Sequence, residues 1–136
     1  MATIKRFEDI ISWKEARELN RMIRKLIREK RFENNFSLIN QIERAAGSIM
    51  DNIAEGFERG GNKEMIQFLY IAKGSCGELR SQVYRAIDEG YISEEEFSTI
   101  AIACLKISNL IYQFIEYLKN TEHKGQKFIK GRQKSN

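Results

Sequence analysis

An all-α fold, an antiparallel up-down-up-down bundle of four helices, follows from three features of the 136-residue chain. Apolar residues return every three or four positions through four long segments, and no segment of useful length alternates with the two-residue period of a strand. Proline is absent, where ordinary usage of ~5% would supply about six or seven, so nothing interrupts long helices from within. The four segments are joined by short connections, which place consecutive helices side by side. Their near-heptad spacing predicts shallow crossing angles.

The first helix opens at Ser12-Trp13-Lys14-Glu15, which reads as a capping box. Its apolar stripe is Trp13, Ala16, Leu19, Ile23, Leu26 and Ile27, and it ends near Lys30. The second starts around Ser37 and carries Ile39, Ile42, Ala46, Ile49, Ile53 and Phe57. Gly60 and Gly61 end it by supplying the left-handed conformation that helix ends favour. Asn62 is the expected N-cap of the third, whose stripe of Met65, Leu69, Ala72, Cys76, Leu79, Val83 and Ala86 closes at Glu89-Gly90. A second capping box, Ser93 to Glu96, opens the fourth. That helix then runs through Phe97, Ile100, Cys104, Ile107, Ile111, Phe114 and Leu118.

The length fits one domain, and 42% apolar with 31% charged residues is the composition of a folded one. Residues 1–11 read as a leading segment, 12–119 as the bundle, and 120–136 as a basic tail that is mobile or orders on binding. The longest apolar run is residues 100–105, far below the ~20 that span a bilayer. The first residues contain no apolar stretch of the secretory kind. Two cysteines make no disulfide framework. The expectation is a cytoplasmic protein with reduced thiols and no membrane contact.

Net charge is +4, but residues 1–31 carry net +5, residues 32–118 net −6 and residues 119–136 net +5. Basic ends around an acidic middle point to a polyanion as partner. Arg17, Arg21, Arg24 and Arg28 fall in one narrow stripe of the first helix, and Arg31 continues it. Guanidinium groups one turn apart can follow phosphates along a nucleic-acid backbone. The tail adds Lys124, Lys127, Lys130, Arg132 and Lys134. No aromatic interleaving of the RRM or OB-fold kind accompanies these cations, so base-specific reading is not indicated. The plainer reading is a solvated face with pairs such as Glu18 with Arg21, worth tenths of a kcal/mol.

Apolar surface exceeds what one bundle hides. Ile66, Tyr70 and Tyr84 gather on a flank of the third helix, and Leu105 and Tyr112 widen the apolar arc of the fourth. A surface helix ordinarily leaves about half its circumference polar, and large apolar patches mark interaction sites. These five residues are therefore the expected oligomer interface, against the alternative of tyrosines half-buried on the rim of a monomer. Gly47, Gly56, Gly74 and Gly77 lie inside helices at ~1 kcal/mol each relative to alanine. Close backbone approach between helices is the expected reason, a local kink the alternative.

Enzymatic chemistry finds no footing. Di-iron bundles need glutamates and Glu-x-x-His pairs on facing helices, but the single histidine, His123, falls beyond the fourth stripe. No metal and no cofactor is expected, and no small-molecule substrate is identified. Cys76 and Cys104 lie on apolar stripes, where thiols serve as small hydrophobes. No Walker A or Gly-x-Gly-x-x-Gly sequence occurs. Ser48, Asn52, Glu55 and Arg59 share one polar face of the second helix, which reads as packing register more than as a binding strip.

The segment Phe7-Glu-Asp-Ile-Ile-Ser-Trp13-Lys-Glu-Ala-Arg17-Glu-Leu19 resembles the opening of the bacterial four-helix bundle proteins encoded in intervening sequences of large-subunit ribosomal RNA genes. The string from Arg44 through Asn52-Ile-Ala-Glu55-Gly56-Phe57 to Gly60 is similar to that family's longest signature, and the string from Asn62 to Leu79 continues it. Met50 departs from the family, where proline often follows Ser-Ile, which leaves the second helix straighter here. The resemblance implies a homo-oligomer, typically a pentameric ring, and assigns no catalytic residue. A more distant likeness to accessory proteins of diversity-generating retroelements implies partnership with a reverse transcriptase and its RNA. The expected function is a non-enzymatic oligomer that binds RNA or DNA phosphates through the first helix and tail. The alternative is a protein-interaction scaffold that does not touch nucleic acid.

Overall fold

The structure, a computed structural model, describes residues 4–123. A 3-10 turn, Phe7–Asp9, leads into four helices: α1 Ile11–Arg28, α2 Phe36–Glu58, α3 Asn62–Asp88 and α4 Glu94–His123. Cross-helix contacts establish the antiparallel order. Asn20 and Arg24 of α1 meet Ala46 and Glu43 of α2, and Ser48 and Gln41 of α2 meet Ser75 and Arg85 of α3. Tyr84 and Tyr70 of α3 meet Phe97 and Lys119 of α4, while Glu15 of α1 reaches Lys106 of α4. Each helix touches its two neighbours around the square, most extensively α2 with α3. The fold is an all-α four-helix bundle.

Between the helices Leu19, Leu38, Ile42, Ile49, Ile53, Phe57, Met65, Leu69, Leu79, Ile107, Ile111 and Ile115 are wholly buried. Each contributes about 1.5–3 kcal/mol, against less than about 1 for an exposed ion pair. The core holds the bundle, and the surface charges remain free to exchange partners. Phe97 and Phe114, read as core, sit half-buried at the edge of the α4 stripe, and Ile115 takes the central place. By length and composition α4 could cross a membrane, but one side of it is bundle core.

Several ends differ from the sequence reading. The capping box at Ser12 is not formed. The Phe7–Asp9 turn delivers Ile10, 3% exposed, to the N-cap position, which places Ser12 inside the first turn, buried, its Oγ without a hydrogen-bond partner among the described residues. Burying isoleucine outweighs the ~1 kcal/mol of a serine cap. Asn62 is the first residue of α3 and not its cap, because Gly60, at φ 92°, turns the chain so sharply that extended Gly61 takes that place. The second capping box is formed: the Glu96 N–H donates to Ser93 Oγ at 3.0 Å and the Ser93 N–H to Glu96 Oε1 at 2.8 Å. α1 stops at Arg28, short of Lys30, while α4 continues past residue 119 to His123, with Thr121 still buried.

The α1–α2 connection is strained. Lys30, Glu33 and Asn34 all have positive φ, between 48° and 64°, a conformation that costs a non-glycine residue on the order of 1 kcal/mol. Burial of Phe32, packed 5.5 Å from the Tyr91 ring, offsets it. Close approach explains one helical glycine of the four. A Cβ on Gly56 would lie 2.7 Å from Phe68 Cβ, whereas Gly74 and Gly77 have nothing within 4 Å and Gly47 only Asp51 Oδ2 at 4.0 Å. α2 runs unbroken through Met50.

Candidate nucleic-acid interface

On α1 the core stripe takes one side of the helix, so the basic residues project from the other. Arg17, Arg21, Arg24 and Arg28 are all exposed. With Asn20, Lys25 and Glu29 they line one shallow, open groove of about 400 Å³. Asn20 gives the groove a fixed floor by donating to Ala16 O at 2.9 Å and to Ala46 O at 2.8 Å, which pins α1 to α2. Lys25 belongs to the groove although the arginine spacing passed over it. Its place one turn beyond Arg21 was the available signal.

The groove is cationic without being saturated. Arg21 donates to Glu18 at 2.7 Å, Arg24 pairs with Glu43 of α2, and the Arg17 guanidinium lies 5.9 Å from the Trp13 ring centre. Arg28 and Lys25 have no ion pair among the described residues. Pairs this exposed are worth 0–1 kcal/mol, so a phosphate can displace the carboxylates. Arg31 does not continue the row. It turns to α4 and holds Glu96 with two hydrogen bonds. These bonds keep the Glu96 carboxyl below the usual carboxylate range. The tail residues Lys124, Lys127, Lys130, Arg132 and Lys134 lie outside the described residues.

The polar face of α2 divides in two. Ser48 Oγ and Ser75 Oγ are 2.8 Å apart, and the Asn52 amide donates to Ser48 Oγ at 2.9 Å and Ser48 O at 2.8 Å. This half lies between α2 and α3 and joins them through the Ser48–Ser75 hydrogen bond. The other half is exposed: Arg59 donates to Glu55 at 2.8 Å and lies 5.1 Å over the Phe68 ring.

Along the α3–α4 edge, Tyr70, Tyr84, Leu105 and Tyr112 are each about half exposed, at 49–53%. Ile66 is half-buried against the core. Lys119 donates to Tyr70 Oη at 2.8 Å, and Tyr84 meets the Phe97 ring edge-on at 4.7 Å. Gly74 and Gly77 leave open space on the same helix. Ile71 and Ile102 are exposed as well, 50% and 65%, but sit on other flanks of α3 and α4.

Cys76 and Cys104 are buried, and burial pushes both thiols up to about 12. Among the described residues no group of three His, Cys, Asp or Glu side chains is placed to hold a metal. His123 is the last residue of α4 and not part of a tail beyond it.

A family model described as 23S rRNA-intervening sequence protein matches residues 8–113. The fold is similar to the crystal structure of a protein of unknown function from the S23 ribosomal protein family of Bacteroides thetaiotaomicron VPI-5482. The TM-score is 0.68 and the identity 23%, over 78% of this chain and 99% of that one. At that identity the likeness speaks for the fold alone. No curated protein matches the chain.

Proposed function

The chain belongs to the 23S rRNA-intervening sequence protein family, and from that premise we propose that it is a non-enzymatic, cytoplasmic homo-oligomer that binds RNA or DNA phosphates along α1. Lys124, Lys127, Lys130, Arg132 and Lys134 add to the same charge. The reading rests on one observation above others: four arginines and a lysine line a single open groove that contains one acidic side chain. An open cationic groove without a deep cavity suits a phosphate backbone better than a small molecule. The exposed tyrosines and leucine of the α3–α4 edge support assembly with further copies, and the family resemblance implies a pentameric ring.

Binding to a labelled structured RNA, followed across a salt titration, tests the reading. Affinity is expected to fall steeply with salt as counterions are released. Substituting Arg17, Arg21, Arg24 and Arg28 by glutamine is expected to flatten that dependence. No salt-sensitive shift at low ionic strength would overturn it. A second reading, a protein-interaction scaffold of the reverse-transcriptase accessory type, draws on the carboxylate partners that Arg21 and Arg24 already hold. On that reading partner capture survives neutralisation of α1.

A further inference from the structure

We infer that the ligand of the α1 groove is double-helical nucleic acid in preference to an unpaired strand, an inference that rests on the phosphate-binding reading above. The four arginines stand on one unbroken helix, Ile11–Arg28, and span on the order of 16 Å from Arg17 to Arg28 at 1.5 Å per residue. A straight, rigid row of charge suits a ligand whose phosphates are already held at fixed intervals. A flexible strand has to lose conformational freedom to follow it.

Unpaired strands recover that loss by stacking bases on aromatic side chains, and α1 presents no open platform. Its one aromatic residue, Trp13, is half-buried, with the Phe7 ring edge-on at 5.2 Å and the Arg17 guanidinium at 5.9 Å. The exposed aromatics among the described residues are Phe36, Tyr70, Tyr84 and Tyr112, on α2, α3 and α4. None of them lines the groove.

The width of the strip agrees. Glu18 and Glu29 lie along one side of it and Glu43 closes the other at Arg24, leaving a basic track one helix wide, ~10 Å. One strand of a duplex occupies such a track. In B-DNA the complement across the major groove is ~12 Å away, beyond the ~8 Å over which the flanking carboxylates act at physiological salt.

Electrophoretic shifts with a short RNA duplex, a DNA duplex and an unstructured single strand of equal length test this on the 136-residue chain. Both duplexes are expected to bind, with affinity falling on the order of 100-fold between about 50 and 200 mM salt if four phosphates are engaged. The single strand is expected to bind at least tenfold more weakly. Equal or tighter single-strand binding overturns the inference and leaves the phosphate-binding reading standing, whereas binding of no probe overturns both. A K25Q/R28Q variant, which breaks no ion pair among the described residues, is expected to lose duplex affinity with its helical signal intact. Unchanged duplex affinity in that variant moves the ligand off α1 and overturns the inference.

Discussion

Arg31 and Glu96 are joined by two parallel hydrogen bonds, 2.8 and 2.7 Å long, that tie the α1–α2 connection to the first turn of α4. Glu96 also receives the Ser93 N–H. One carboxylate thus closes the strained connection and caps a 30-residue helix.

Glu96→Gln is expected to destabilise the bundle by about 1–2 kcal/mol in chemical denaturation, combining a weakened cap with the lost charge on the Arg31 contact. The carboxyl is held low chiefly by the Arg31 hydrogen bond. Its stabilisation is therefore complete above the unfolded carboxylate value of ~4.3 and disappears as pH falls through the lower folded value. A stability profile across acid pH is expected to lose that step in the variant.

Gly56→Ala and Gly74→Ala are expected to act in opposite directions on the isolated bundle. The first forces a Cβ to 2.7 Å from Phe68 Cβ, an overpacking worth about 1–3 kcal/mol of destabilisation. The second meets open space and is expected to stabilise α3 by about 1 kcal/mol. Thermal melts of the two variants check the contrast.

Leu105→Lys and Tyr112→Glu place charge on the half-exposed α3–α4 edge. Light scattering is expected to show a lower particle mass at equal concentration, with helical content unchanged. A mass that stays the same places the contact between copies elsewhere.

Cys76 and Cys104, pushed up to about 12 by burial, are expected to resist thiol reagents at neutral pH. Their labelling rate is expected to rise with denaturant in step with unfolding. Rapid labelling of native protein would mean that the interface between α3 and α4 opens locally.

Legibility followed periodicity. The α3 stripe from Met65 to Ala86 is buried residue for residue, because a 3.6-residue repeat carries its own orientation. The Ser93 box was readable for a similar reason, since its two partners are three residues apart. Ser12 carries the same letters, yet the burial of Ile10 outside that window decided the helix start. Arg31 looked like the fifth member of a row until Glu96, 65 residues away, claimed it. Gly74 shared its explanation with Gly56 until the space above each was known.

Order along the chain thus established the four helices, their inward faces and the basic row on α1, because local spacing alone encodes those properties. Packing decided which charges are already paired, which glycines are crowded and which apolar residues stay wet. Those outcomes depend on side chains brought together from distant helices, and the one-dimensional pattern does not contain the distances between them.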